Sequence, residues 1–307
     1  MKRLLLSFVA FLSLCSWASA WNDKGHMVVA KLAWDRLSPQ QQKTAIDILK
    51  VHPHYAEFLA ADCPDGFPED QWVFLRGATW PDWIKNHHKS SHLSFPKWHY
   101  VNLPYVPLGS KLTESDFPAA SPNVITQITA AVDKVKSGTA EEKAIYLCWL
   151  LHLVGDIHQP LHCAELFSER FRKGDEGGIL LLVRIDDGRP QELHPLWDGL
   201  LGESDSRSSI GGTVAEIRRV EKDSRARIEA DLAAHATPEA WAKEGLEAAK
   251  KYAYLDGKLD VANSEDHPAD KDVPTLPTDY MKNAGAVARI AVAKAGQRLA
   301  TALSKVL

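Results

Sequence analysis

Imidazole and carboxylate side chains recur in this chain at the spacing of one helix face. His152 and Asp156 stand four apart within Glu141–Ile157, a stretch otherwise rich in leucine, isoleucine and valine. Residues four apart share a helix face, and a charge on an apolar, buried helix is costly unless it is paired. His194-Pro-Leu-Trp-Asp198 repeats the spacing, and His162 follows Asp156 by six residues, beyond Pro160. Upstream, Trp80-Pro81-Asp82 and Trp98-His99-Tyr100 add a carboxylate and an imidazole, and His26 follows Trp21 by five residues. One His-x3-Asp pair alone is ordinarily a structural hydrogen-bonded pair. The combination is a set of nitrogen and oxygen donors of the kind that holds zinc at about 2.0–2.2 Å. No thiolate cluster argues for an iron–sulfur centre. His52, His54, His87, His88, His92, His158, His235 and His267 are read as surface residues or as supports around the site.

Charge composition narrows the chemistry. Lys and Arg number 36 against 40 Asp and Glu, a formal net charge of −4. A broad basic surface for nucleic acid is therefore excluded, and any phosphate must be met by another cation. The chain is 45% hydrophobic and 25% charged, an ordinary globular balance that excludes a disordered tail, a collagen-like repeat and a polytopic membrane protein.

The elements that must position these residues are mostly helical. Periodicity predicts helices over Lys24–Leu37, Pro39–Lys50, Ser121–Ser137 (with Pro122 in the first turn), Glu141–Ile157, Thr213–His235, Pro238–Leu255 (capped by Thr237) and Asp279–Leu307. Near-uniform apolarity marks Glu141–Ile157 as buried on most sides. One hairpin is predicted, Ile179–Ile185 and Gln191–Leu193 around Asp186-Asp187-Gly188-Arg189-Pro190. Asn86–Pro118 reads as a long loop, rich in proline, histidine and aromatics. With no repeat or composition break, the expectation is an all-α fold: one helical domain over 21–307 with one small β-hairpin.

Residues 1–20 read as a secretory signal, with Lys2 and Arg3, the apolar run Leu4–Leu14 and the small residues Ala18-Ser19-Ala20. The run is shorter than the roughly 20 residues that span a bilayer. Cleavage would make Trp21 the first residue and, by removing Lys2 and Arg3, take the charge from −4 to −6. Cys63, Cys148 and Cys163 would remain, enough for one disulfide at most, with the pairing open. A secreted or periplasmic location without stable membrane association is expected. No Asn-x-Ser/Thr acceptor occurs.

Trp21-x4-His26, Trp80-x-Asp82, His99-Tyr-Val-Asn, His152-x3-Asp156-Ile-x-Gln-Pro-Leu-His162 and His194-x3-Asp198 together resemble the secreted trinuclear-zinc nucleases of the S-one/P-one type, distant relatives of the zinc-dependent bacterial phospholipases C. The resemblance runs from Trp21 to Ala295-Gly296-x-Arg298-Leu299-Ala300. It implies an all-helical fold around three zinc ions. One would be held by Asp82, His99, His152 and Asp156; a second by His162, His194 and Asp198; the third by His26, a bridging Asp156, and the amine and carbonyl of Trp21. That last role needs the free amine that cleavage after Ala20 exposes. Departures surround the expected substrate cleft. Gly177-Gly178 is followed by Ile179 where the family carries Asn, Glu192-Leu193-His194 replaces Asn-Leu-His, Cys163–Glu176 is long, and Pro81 is unusual.

The chemistry implied is phosphodiester hydrolysis of single-stranded DNA and RNA to 5′-phosphorylated products, with 3′-nucleotidase activity, by a monomer. Zinc lowers the pKa of bound water to about 7. Three such ions against three carboxylates leave about +3 to attract phosphate. Asp82 would orient the attacking water or accept its proton, and Lys85 would stabilise the transition state. Tyr100 would stack a base and Asn102 would bind its edge. Two other readings carry the same ligands: a zinc phospholipase C, disfavoured because those enzymes place Glu where Asp198 stands, and a secreted zinc-binding protein without turnover, which needs neither Lys85 nor Tyr100 and Asn102.

Overall fold

The structure, a computed structural model, describes residues 21–307; the expected signal segment, 1–20, lies outside the described residues. The fold is all-α with small sheets. Its helices are α1 (Asp23–Trp34), α2 (Pro39–Leu49), α3 (Glu69–Gly77), α4 (Trp80–Trp83), α5 (Val124–Ser137), α6 (Ala140–Asp156), α7 (Leu193–Asp198), α8 (Arg207–Asp223), α9 (Arg225–Ala234), α10 (Pro238–Ala248) and α11 (Tyr280–Leu303).

Helix α6 is the central element. A reciprocal capping box starts it: Thr139 Oγ1 accepts from Glu142 N at 3.2 Å, and Glu142 Oε2 accepts from Thr139 N at 2.9 Å. From Leu147 to Asp156 every residue is buried, because α1, α2, α3, α4, α5 and α11 all pack against it. The apolar stretch is therefore the core of the molecule, and its last turn delivers His152 and Asp156 into that core.

Two small sheets hold the remaining ligand segments. Strand β1 (Leu103–Tyr105) runs parallel to β2 (Ala164–Leu166), with Leu103 opposite Ala164. This pairing lays the segment after His99 beside the segment after His162. Strands β3 (Leu181–Val183) and β4 (Gln191–Glu192) form the expected hairpin, and β5 (Ala262–Asn263) pairs with β3 on its other edge. The hairpin leads directly into α7, which carries His194 and Asp198.

Several sequence expectations are corrected. Thr213–His235 is two helices, broken at Ser224 (φ −110°, ψ 20°). The stripe Ile210–Val214–Ile217 lapses at Glu221 and Ser224, so no apolar face holds a continuous rod to the core. Pro122 precedes α5 rather than opening it; Asn123 is the cap, its Oδ1 accepting from Ile125 N and Thr126 N. Pro238–Leu255 passes at Ala249–Ala253 into a wider π turn. The long loop contains 3₁₀ turns at His88–Leu93 and Pro96–Trp98, as well as β1. Thr237 does cap α10, accepting from Ala240 N at 3.3 Å. Cys63, Cys148 and Cys163 are all unpaired, the last two buried. No described helix is long and apolar enough to cross a membrane.

Candidate metal centre

Helix α6, helix α4 and the turn at His99 converge on one point. His99 Nδ1 lies 2.9 Å from His152 Nε2, 3.0 Å from Asp156 Oδ2 and 3.7 Å from Asp82 Oδ1. His152 Nε2 lies 3.2 Å from Asp156 Oδ2 and 3.6 Å from Asp82 Oδ1. Four donors held tetrahedrally at about 2.0–2.2 Å from zinc stand about 3.3–3.6 Å apart. The edges among His99, His152 and Asp156, and those from Asp82 to the two histidines, bracket that range, and these donors suit the ion. The other oxygen of Asp156 faces His26 Nε2 at 3.3 Å, which places this carboxylate between two groups of donors. His26 Nδ1 and Nε2 are both buried without a hydrogen bond, and its ring stacks on His152 with centroids 3.9 Å apart.

A second group forms where the β2 segment meets α7. His162 Nδ1 donates to the carbonyl of His99 at 2.8 Å, and His194 Nδ1 donates to that of Gly177 at 2.7 Å. Each neutral ring has one proton, so both Nε2 atoms carry bare lone pairs. Those lone pairs face each other at 3.0 Å, with Asp198 Oδ2 3.6 Å from His194 Nε2. Two acceptors at that distance repel unless a cation lies between them. Burial holds His162 down to about 3 and His194 to about 4, so at neutral pH the cation is not a proton. A metal ion satisfies the geometry. His152 follows the same pattern, donating Nδ1–H to Ala78 O at 2.7 Å and presenting Nε2.

A third group of donors has a ring proton in the wrong place for an ion. His54, Glu57 and His87 bring donor atoms within 4.8 Å of one another. Here, however, Trp80 Nε1–H donates to His54 Nδ1 at 3.1 Å. The neutral ring then carries its proton on Nε2, the atom that would have to bind the metal, and gives it to Ser90 Oγ at 3.0 Å. The donors of the four-donor group themselves shift in the directions their surroundings dictate. Burial raises the Asp82 carboxyl, but Lys85, His152, His99 and His26 outweigh it and hold it below the usual carboxylate range. Asp156 is likewise held low by its histidines against the cost of burial. Burial pulls His99 down to about 3, with Lys85 adding to the effect. Lys85 Nζ sits 2.6 Å from Asp82 Oδ1 with its side chain only 8% exposed, so it faces the cluster rather than solvent.

Most sequence-predicted site residues are brought together. Trp21 is buried in the main core. Tyr100, next to His99, is 37% exposed, and the Asn102 side chain hydrogen-bonds Glu165. Glu192 lies in β4 beside α7, and Ile179 follows the turn that holds His194. Sequence reasoning missed the supports. Gln159 Nε2 donates to Asp198 Oδ1 at 2.7 Å, and its Oε1 accepts from Leu161 N at 2.6 Å. Asn22 ties the segment after Trp21 to the same region, its N–H meeting Asp198 O at 3.3 Å and its Nδ2 meeting Gly202 O at 2.9 Å. Gly155 lets His26 approach: a Cβ there would lie 2.8 Å from His26 Nδ1. Gly177, at φ +62°, aims its carbonyl at His194. Gln159 lay inside the His152–His162 motif and could have been found there, and Gly177 lay in the Gly177-Gly178 pair before the hairpin; Asn22 and Gly155 gave no signal. His52, His54 and His158, left with the surface or supporting histidines, are buried.

An all-α scaffold with His/Asp groups around a buried helix end defines the class, a helical domain with clustered candidate metal ligands. Comparisons with known proteins narrow it. The model of the family described as S1/P1 Nuclease matches residues 21–307. Endonuclease 4 of Arabidopsis thaliana is 25% identical, covering 94% of this chain and 90% of its own length. Endonuclease 3 of the same plant is 26% identical, covering 83% of this chain and 82% of its own length. Nuclease S1 of Aspergillus oryzae is 25% identical, covering 71% of this chain and 68% of its own length. The chain belongs to the S1/P1 nuclease family.

Proposed function

We propose that the mature chain, residues 21–307 acting as one domain, is a zinc-dependent endonuclease that cleaves single-stranded DNA and RNA to 5′-phosphorylated products and also acts as a 3′-nucleotidase. The observation that carries this reading is the facing of the His162 and His194 lone pairs at 3.0 Å. It sits beside two donor groups that share His152, one of His99, His152 and Asp156 and one of His26, Asp82 and His152, within a chain of a nuclease family. In this reading Asp82, His99, His152 and Asp156 hold one zinc ion, His162, His194 and Asp198 a second, and His26, Asp156 and the Trp21 amine and carbonyl a third. Bound zinc supplies positive charge for the phosphate and acidifies water.

The chain's own residues do the rest. Asp82, kept ionised by Lys85 and the histidines, orients the attacking water or accepts its proton. Lys85 balances charge that builds on the phosphate oxygens. Tyr100 offers a half-exposed face for a base, a contact that contributes about 1–3 kcal/mol in other systems, and Asn102 meets the base edge. The candidate ligands are almost fully buried, so a phosphate reaches them most cheaply where its base is already unstacked, which favours single strands. Export as a secreted or periplasmic monomer, after cleavage between Ala20 and Trp21, frees the terminal amine.

The test is hydrolysis by the purified mature protein of single-stranded DNA, RNA, 3′-nucleotides and phosphatidylcholine, with and without chelator. Nucleic-acid hydrolysis lost on chelation supports the proposal. Chelator-insensitive hydrolysis, or activity confined to the phospholipid, overturns it. One residue added before Trp21 lowers zinc content by about one ion on metal analysis; unchanged stoichiometry refutes the terminal-amine ligand.

A further inference from the structure

A cavity of about 750 Å³ opens away from the candidate metal centre. None of the nine candidate ligands lines it. Its nearest approach is the back of the turn between Asp156 and His162, through Ile157, His158 and Pro160. The volume falls in the range of small-molecule sites, about 300–1,000 Å³.

An aliphatic strip, from Val220, Ala248, Ala286, Val287 and Ile290 together with Ile157, runs along the cavity among charged side chains. Two aromatics also line the space. Trp241 is already packed against His158, 5.6 Å between centroids, and Arg298, 5.4 Å from its ring, and Tyr252 has Lys251 Nζ over its ring at 5.2 Å. Neither is a free stacking platform. An alkyl chain suits such walls better than a nucleobase.

Charge at the rim is unbalanced in one direction. Every carboxylate lining the cavity already has a cation. Asp231 pairs with Lys294 at 3.2 Å, Glu244 with Lys294 and with Arg298 at 2.9 Å, and Glu247 with Lys250 at 3.2 Å. Arg289 is neutralised by Glu216 at 2.6 Å. Arg227, Lys251 and Lys282 are left, exposed and without an ion pair among the described residues. One such residue would be ordinary solvated surface. Three beside one aliphatic strip, on a chain of net charge −4, are complementary to an anion with an apolar body.

We propose that this cavity is a binding site for an amphipathic anion, an alkyl chain bearing a carboxylate or phosphate head, with the chain on the aliphatic wall and the head among Arg227, Lys251 and Lys282. The proposal stands independently of the nuclease reading.

Calorimetric titration of the mature protein with decanoate and with decyl phosphate, each below its critical micelle concentration, tests it. Inorganic phosphate supplies the charge alone, and octyl glucoside a chain without charge. Saturable binding is expected for the two amphipathic anions and for neither control at this site. A preference between carboxylate and phosphate heads would identify a fatty-acid or a phospholipid source. The variant Arg227→Ala/Lys251→Ala/Lys282→Ala, altered only at exposed positions, is expected to weaken binding about tenfold or more. Ala286→Trp, which fills the cavity from an exposed helix position, is expected to abolish it. Decyl phosphate held at the metal centre instead would be lost on chelation and retained by both variants. That result, an unchanged affinity for decanoate in both variants, or no saturable binding, overturns the proposal.

Discussion

Replacing His194 tests the reasoning about facing lone pairs most directly. The side chain donates to Gly177 O and opposes His162 Nε2 at 3.0 Å. His194→Ala removes a packed ring and a hydrogen bond, and those losses occur whether or not metal is present. The informative quantity is therefore a difference of differences: the stability lost on chelation in the parent, less that lost in the variant. A site holding metal at 100 times its Kd contributes about 2.7 kcal/mol by mass action. At about 2–4 °C per kcal/mol for a protein slightly smaller than this one, that is roughly 5–11 °C in Tm per site. Chelation should lower the Tm of the parent by at least this much, and the drop should shrink by one site's share in His194→Ala. The assay is thermal unfolding at pH 7 with added zinc or with chelator, paired with metal analysis. Burial holds His162 and His194 at about 3 and about 4, so both stay neutral and metal-competent from pH 7 down to that region, and below it protons compete with metal. An equal chelator effect in parent and variant would refute the argument, because it would mean the two nitrogens share a proton rather than an ion.

Three further outcomes follow from residues around the centre. Burial pushes the Asp175 carboxyl from 3.8 up to about 7, even though Leu166 N–H and Tyr254 O–H donate to it. The folded state therefore holds a proton that the unfolded state releases, and stability falls as pH rises from about 4 to about 7, by at most about 4 kcal/mol at 1.36 kcal/mol per pH unit. Asp175→Asn should flatten that slope in denaturant melts of chelated protein, and an unchanged slope assigns it to another group. Gly155→Ala drives a methyl to 2.8 Å from His26 Nδ1, so about 1–3 kcal/mol of stability should be lost together with the metal at His26; full metal content would show that His26 is not a ligand. Gln159→Leu keeps the volume but frees Asp198 Oδ1, and metal affinity or activity should fall about 10–100-fold. Parent-level affinity would show that Asp198 needs no such support.

Which parts of this molecule were legible beforehand follows from the range of the forces involved. His152 and Asp156 could be paired from sequence because a helix fixes the direction of residues four apart, and the apolar run around them announced burial. The same rule linked His194 to Asp198. Helix starts at Thr139 and Thr237 were legible because a cap is a local hydrogen bond. Where competing local chemistry decided the outcome, the pattern misled: Asn123 out-competed Pro122 for the start of α5, and the missing apolar face at Glu221 and Ser224 let one expected helix become two.

The sequence alone determined which imidazoles and carboxylates were on offer and that His152 and Asp156 would be buried, because both depend on residue type and periodicity. Only the tertiary structure decided which donors meet. The parallel pairing of β1 with β2 sets His99 beside His162, the helix packing stacks His26 on His152, and Asn22 holds the segment after Trp21 against Asp198. It also decided which histidines are competent. His162 and His54 are the same residue type, but a carbonyl accepts from Nδ1 of one and an indole donates to Nδ1 of the other. That choice is made by neighbours far away in the chain, and it places the ring proton, and with it the ability to hold an ion.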